Sequence, residues 1–457
     1  MKLPSVTTPS GPGRPADLRP ADPSGLKRAV LALIGFALAL GTLHAAEFRA
    51  AAVKVDITPD TPQMLRGYTP RLSTGVHDRI YHRILALDDG VNAFYLISSD
   101  LCSLSPAFCD EVTADLARKL EAPAQNVWWT ITHNHSSPYV GPPGVAGALM
   151  PARFQFAVDA DYTARVVKTL VDGALAAKRQ LAPAKLGAGW GYSNANINRR
   201  AKDQDGSIKL GMNPDGPTDR RIGLLRLEEP GGKPLALVAN YAMHATVLGG
   251  KSTVVSGDAP GVVAEYVQQK IGAPMLYING AAGNLAPLYS VGENARVLSQ
   301  FTVLLGDKIL DANRNLRSTT DRVRLQSGLI HWETALRPGL KWPAELAAYR
   351  KAGSAGAERL LVPLRFLQIN ADILIWSAPM ELFCEVSNEI RDRSRFPYTF
   401  FFGYTNGTFA YLPTESEFAA GGYEATTSPF TPPAAADLTA TVSRHIHDLQ
   451  TPPPRSP

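Results

Sequence analysis

Cysteine is scarce: Cys102, Cys109 and Cys384 are the only three in 457 residues. So few cannot build a disulfide scaffold, and none has the paired spacing of a zinc finger or ribbon. Export would allow Cys102 and Cys109 to form a local disulfide; three free, buried thiols are the other reading. Membrane-length apolar runs are lacking too, since the run at residues 29–43 is shorter than the ~20 residues a spanning helix needs. No heptad pattern, solenoid period or long low-complexity tract is visible, which excludes coiled coils and repeat arrays. Neither sign of charge dominates, with 46 Lys and Arg against 41 Asp and Glu, a net of +5. The first 46 residues carry Lys2, Arg14, Arg19, Lys27 and Arg28 against Asp17 and Asp22, so the remainder is nearly balanced. No basic face with interleaved aromatics appears, and nucleic acid is not an expected partner.

What is present fits a large soluble domain. Hydrophobic residues make up 45% and charged residues 19%, and the 38 Gly and 36 Pro demand many loops. Lys27-Arg28, the apolar run and His44-Ala45-Ala46 have the form of a basic n-region, an h-region and a cleavage zone. Residues 1–46 are therefore expected to be a signal peptide behind a Pro-rich leader, and the mature protein to be exported, periplasmic or secreted. An uncleaved N-terminal anchor is the alternative. Residues 47–448 read as one domain and residues 449–457 as a Pro-rich tail.

Apolar runs alternate with helical patterns. Strands are expected at 93–98, 126–132, 235–241, 275–278, 373–377 and 399–403. Helices are expected at 106–120, where Ser105-Pro106 offers a start signal, and at 160–179, 260–271 and 381–393. The alternation predicts an α/β fold, mixed sheets with covering helices, in a single large catalytic domain. The richest polar clusters each follow a strand, at His133, His244, 280–284, Glu381 and 406–411. Ligands of open α/β sheets bind beyond the carboxyl ends of strands, so these loops are candidates to share one crevice.

Thr132-His133-Asn134-His135-Ser136-Ser137-Pro138 is the sharpest motif. If the strand continues, two histidines two apart point to one side and either can reach a metal; ordinary surface histidines would explain them as well. His244 ends an apolar run, where a satisfied core histidine is the bland account. Asp258 by default caps a helix, and Glu381 would sit in a first helical turn beside the helix dipole. Gly280, Ala281, Gly283 and Asn284 form either an oxyanion-binding nest of backbone amides or a tight turn, without the Lys and Ser/Thr of a P-loop. Tyr411 and Tyr423 sit among Gly, Phe and Ala, where packing is the simple account.

Taken together, His133-x-His135, His244, Pro379-Met380-Glu381 and Asn406-Gly407-Thr408-Phe409-Ala410-Tyr411 resemble, in order, the catalytic domain of the neutral, non-lysosomal ceramidases. Val53-Lys54-Val55-Asp56-Ile57-Thr58, Gly75-Val76-His77-Asp78-Arg79, Asn196-Ile197-Asn198-Arg199 and Ser256-Gly257-Asp258 extend the resemblance from about Val53 to Glu424. It implies one Zn²⁺ held by His133, His244, Glu381 and Tyr411, with a zinc-activated water attacking an amide. It assigns His135 to proton transfer or orientation of the intermediate. The substrate implied is N-acylsphingosine or a related N-acyl lipid, with transient contact at a membrane surface. Trp128, Trp129, Phe154, Phe156, Phe400 and Phe401 are candidates for an apolar funnel, core packing being the other role open to them.

This chain departs from the family pattern at one loop. Where the family resembles Gly-Asp-Val-Ser-Pro, it reads Gly283-Asn284-Leu285-Ala286-Pro287, so no serine nucleophile is available there. No segment corresponds to the C-terminal β-sandwich of long family members. Two rivals therefore stand beside the lipid amidase: an exported metallohydrolase of the same fold acting on a non-lipid amide or ester, and a non-catalytic binding protein.

Overall fold

The computed structural model describes residues 47–290, 295–353 and 356–450. The expected signal peptide, leader and tail therefore lie outside the described residues, apart from Leu449 and Gln450 at the end of the last helix.

One supersecondary unit occurs three times. In the first, β1 (Arg49–Asp56), β2 (Tyr81–Asp88) and β3 (Ala93–Ser99) run antiparallel in sequence order. Helix α1 (Pro106–Leu120) then brings the chain back, so that β4 (Val127–Ile131) lies parallel to β3. A second helix, α2 (Ala160–Arg179), packs on the same face as α1. The second unit repeats the order with β5 (Lys185–Tyr192), β6 (Arg221–Glu228), β7 (Pro234–Tyr241), α3 (Asp258–Ile271) and β8 (Met275–Asn279). Helix α4 (Asp307–Asn315) supports its outer face. The third comprises β9 (Leu325–Ala335), β10 (Glu358–Ile369), β11 (Ile373–Ala378), α5 (Cys384–Arg393) and β12 (Tyr398–Gly403), backed by α6 (Ala434–Gln450). Each sheet has the same strand order and ends in one parallel pair.

Alternation along the strands explains the layers. Leu85 and Leu87 of β2 point to a core shared with Leu225 and Leu227 of β6 and with Leu367 and Ile369 of β10. Their neighbours Ile84 and Ala86, Ile222 and Leu224, and Leu364 and Phe366 face the helices outside. Both faces of the central strands are buried, so those strands read as nearly continuous apolar runs. Trp128, Trp129 and Phe400 lie in this packing at 2% exposure or less, which removes them from any substrate funnel. Burying each such side chain contributes about 1.5–3 kcal/mol.

Several sequence expectations are corrected. Glu381 lies on a two-residue strand, Glu381–Leu382, and the helix begins only at Cys384, so the carboxylate is not a helix-dipole partner. Asp258 does not cap α3 in the usual way. It is fully buried and its carboxylate accepts from the backbone amides of Val247 (3.1 Å), Leu248 (2.9 Å) and Ala259 (2.7 Å), tying down the loop after His244. The strand before the histidine motif stops at Ile131, and His133 has a positive φ of 60°. A turn, not a continuing strand, sets the direction of the two histidines. All three cysteines are free and buried. Among the described residues no helix is long and apolar enough to cross a membrane.

Candidate metal centre

The loops after the three parallel pairs meet, and backbone hydrogen bonds stitch them together. Asn134 bridges to Ala245, with the His135 amide donating to the Ala245 carbonyl at 3.1 Å. His244 donates to Leu285 at 3.0 Å, Gly283 to Leu382 at 2.8 Å, and Glu381 to Ala410 at 2.9 Å. Glu381–Leu382 pairs in parallel with Tyr411–Leu412. The first unit thus contributes His133 and His135, the second His244, and the third Glu381 and Tyr411.

The side chains converge as the backbone requires. His133 Nε2 and His244 Nε2 lie 3.3 and 3.2 Å from the same oxygen, Glu381 Oε2. The Tyr411 hydroxyl is 3.4 Å from His244 Nε2. His133 Nδ1 donates to the Cys102 carbonyl and His244 Nδ1 to the Ala282 carbonyl, both at 2.6 Å. Those bonds fix each tautomer so that the Nε2 lone pair faces inward. Three buried acceptors pointing at one another, with Glu381 Oε2 lacking any hydrogen-bond donor, could together hold a cation. His133, His244 and Glu381 fit a divalent ion, and Tyr411 stands at its edge.

The electrostatics agree. Burial and the Arg199 charge push His244 down to about 4, leaving it neutral at neutral pH. Burial and the nearby Glu381 charge raise Tyr411 well above an ordinary phenol. A second grouping, Cys102 with His133 and His135, also lies within ligand reach. It is the poorer site, because burial lifts the Cys102 thiol to about 12 and the proton must leave before sulfur can ligate.

His135 stands beside the centre, its Nε2 3.3 Å from His133 Nε2 and its Nδ1 without a partner. Burial first, and then His133 and His244, depress its pKa strongly, so it is a neutral imidazole. Arg71 Nη2 bonds its carbonyl at 2.6 Å, and Gly67 lies flush against its ring.

Of the two readings the sequence left open for residues 280–284, an oxyanion nest or a tight turn, the hydrogen bonds favour the turn. The Gly280 amide is spent on Tyr241 and the Gly283 amide on Leu382. Asn284 accepts from the Cys384 amide at 3.0 Å and donates to Glu385 at 2.7 Å, while the Ala282 carbonyl holds His244. Neither Gly280, Ala281, Gly283 nor Asn284 lines the pocket at the centre. The turn positions ligand residues.

Sequence reasoning missed residues that line or flank the pocket. Arg199 lies over the Tyr411 ring, 5.4 Å from its centroid, and is paired to Glu424 at 2.8 Å. Tyr423, assigned to packing, lines the pocket with its ring 5.6 Å from that of Tyr411. Arg66 and Arg153 line it too. Arg66, on a loop, and Arg153, in a short 3₁₀ turn, carry no periodic or spacing signal, and Arg199, on the strand Asn196–Lys202, stood out only as the end of the Asn196-Ile197-Asn198-Arg199 stretch. Of the proposed funnel residues only Phe154 faces this pocket. It is narrow, about 50 Å³, whereas an apolar groove of about 910 Å³ between α1 and α2 shares none of its lining residues.

Comparison with known proteins agrees with this architecture. The model of the neutral/alkaline non-lysosomal ceramidase N-terminal domain matches residues 48–282. The chain belongs to that family. It is 26% identical over 232 residues to neutral ceramidase A of Dictyostelium discoideum, and 25% over 233 residues to neutral ceramidase B. These alignments span 47% and 48% of this chain but only 31% of each relative. A crystal structure of neutral ceramidase from Pseudomonas aeruginosa superposes with a TM-score of 0.70 at 17% identity, over 89% of this chain and 75% of that one. A structure of a ceramidase complexed with C2 gives a TM-score of 0.71 at 17% identity, over the same shares of the two chains. The fold likeness thus extends to the third unit, which supplies Glu381 and Tyr411 beyond the family-model match.

Proposed function

We propose that the protein is a zinc-dependent amidase that cleaves the amide bond of an N-acyl compound, with N-acylsphingosine and related N-acyl lipids the class its family suggests. The observation that carries this reading is the convergence of His133 Nε2, His244 Nε2 and the donor-less Glu381 Oε2 at a pocket that His135 also lines. His133, His244, Glu381 and Tyr411 would hold the ion. When bound, it would supply a Lewis acid that polarises the amide carbonyl and acidifies a water molecule.

The remaining steps belong to the chain's own side chains. His135, neutral and with one unpartnered ring nitrogen, takes the proton released as water attacks and returns it to the leaving nitrogen. Arg199, fixed by Glu424, sets the Tyr411 ring and places positive charge where the carbonyl oxygen gains negative charge. The backbone stitching between the three loops keeps these groups in register, so little reorganisation accompanies reaction. No serine is needed, in keeping with Ala286 in the 280–287 loop.

We further propose that the mature chain is exported, on the strength of residues 27–46. The decisive experiment follows fatty-acid release from N-acylsphingosine and from simpler N-acyl amides, before and after chelation and zinc restoration. Chelator-sensitive release restored by zinc is expected. Zinc-loaded protein inert to the whole panel would overturn the amidase reading and favour a binding protein.

A further inference from the structure

Four of the five buried arginines among the described residues have a carboxylate partner. Arg83 pairs with Asp100 and Glu265, Arg199 with Glu424, Arg200 with Glu417 and Glu424, and Arg365 with Asp110. Arg66 is the exception. It is 4% exposed, and no described carboxylate lies within ion-pair distance of it. Its Nη1 has no hydrogen-bond partner, and its Nη2 reaches only the Pro143 carbonyl at 3.4 Å. Tyr139 and Phe154 hold the guanidinium, with ring centroids 5.1 and 4.9 Å away, and it lines the same pocket as His133, His135, Glu381 and Tyr411.

A buried cation without a counter-anion costs several kcal/mol, and every other buried arginine among the described residues offsets that cost within the fold. The second cation on the wall, half-buried Arg153, also has no carboxylate partner among the described residues; its Nη1 reaches the Gly67 carbonyl at 3.4 Å. The single carboxylate that lines the pocket, Glu381, faces His133 and His244. The pocket is therefore built with an excess of positive charge at its wall, and the free edge of Arg66 is a planar donor pair of the kind that takes a carboxylate side-on.

We infer that the substrate brings the missing anion: Arg66, assisted by Arg153, binds a carboxylate close to the scissile amide, so the substrate class is an N-acyl amino acid or an acylated peptide end. This inference rests on reading the pocket as an amide-hydrolysis site, and it narrows that reading, because N-acylsphingosine carries no carboxylate. Arg66 acts in binding and positioning, and bond cleavage remains with the groups around His135.

The test uses the zinc-loaded full-length protein and two N-acylglycine probes that differ in one group, the free acid and its neutral primary amide. Turnover of the acid is expected to exceed that of the amide at least ~10-fold in kcat/KM, in line with one charge-assisted pair. Arg66→Met lowers turnover of the acid by about 10- to 100-fold more than turnover of the amide, with Arg66→Lys intermediate. Non-cleavable analogues, with the scissile nitrogen replaced by CH₂, are titrated by calorimetry into the same proteins. A preference for the acid that vanishes in Arg66→Met supports the inference. Equal binding of acid and amide by the wild type, or a preference that survives in Arg66→Met, overturns it. If the acid analogue shows the Arg66-dependent preference while neither N-acylglycine is cleaved, the amidase reading falls and the anion site stands. Thermal melting of each variant shows whether it is folded, and the lysine variant carries the comparison if the methionine variant is not.

Discussion

Glu381 and Tyr411 sit directly opposite one another on a two-residue parallel ladder, with the Glu381 amide donating to the Ala410 carbonyl at 2.9 Å. Neither residue lies on a helix or a long strand, so this pairing sets the spacing of carboxylate and phenol. The two should separate functionally. Glu381→Gln removes the only charged donor atom and is expected to weaken zinc binding more than about 100-fold, beyond the 10–100-fold range of outer-shell changes. Tyr411→Phe should hold zinc within about tenfold of wild type and lose turnover instead. Competition against a chromophoric chelator, beside an N-acyl amide assay, reads both. Zinc affinity unchanged in Glu381→Gln would remove Glu381 from the centre.

Gly67 marks a different kind of constraint. Its φ is 112°, and an added Cβ would lie 2.4 Å from His135 Cγ. Gly67→Ala therefore has to displace the His135 ring while leaving His133, His244 and Glu381 in place. A shift near 1 Å in a reacting group costs about 100-fold in rate, so kcat should fall by that order with zinc content unchanged. Gly232→Ala, where φ is 87° and a Cβ meets nothing within 4 Å, is the matched control. Full activity in Gly67→Ala would deny His135 its place in the chemistry.

Much of this was legible in the chain. The strands ending at Ile131, Tyr241, Ala378 and Gly403 announced themselves as apolar runs, and the polar clusters behind them marked the crevice. His133, His135, His244, Glu381 and Tyr411 were found by order and motif, and the structure brings all five together. The threefold repetition of the fold was not legible. The unit is defined by strand direction and register, which many different apolar residues satisfy, so Leu85, Leu225 and Leu367 occupy the same core without any recurring motif. The short ladder at Glu381 was missed for the opposite reason. Two residues are too few to show a period, and the helix that follows absorbed them.

Asn284 shows how a departure from the family pattern can be structural. Its side chain accepts from the Cys384 amide and donates to Glu385 at 2.7 Å, a contact that a carboxylate in its place would turn into repulsion. Burial already raises the Glu385 pKa. Asn284→Asp should cost about 1–3 kcal/mol at pH 8. Both carboxyls would then have folded-state pKa values above their unfolded ones, so the lost stability returns as pH falls and one of them takes a proton. Urea midpoints at pH 5 and pH 8 measure this, and adding Glu385→Gln should abolish the pH dependence of the penalty. A penalty equal at both pH values would mean that the two groups do not interact.

His82 sets a pH limit on the fold away from the candidate centre. It is fully buried between β2 and α2, with Nδ1 2.6 Å from Ser99 Oγ and Nε2 3.0 Å from the Val166 carbonyl. Burial pushes its pKa down to about 4 from an ordinary value of 6.5. Below pH 6.5 the unfolded chain takes up a proton that the folded chain refuses. The stabilisation is therefore complete above that pH and is lost progressively down to about 4, to the order of 3 kcal/mol. Asp258 contributes with the opposite sign in the same range, because burial raises its carboxyl to about 6 and the folded state gains stability as it protonates. Comparing His82→Gln with the wild type cancels that contribution. The variant should be less stable at pH 7.5, through lost packing and hydrogen bonds, and its urea midpoint should fall less steeply between pH 7 and pH 4.5. Parallel profiles for the two proteins would show that His82 takes up its proton as readily in the folded as in the unfolded chain and that acid sensitivity arises elsewhere.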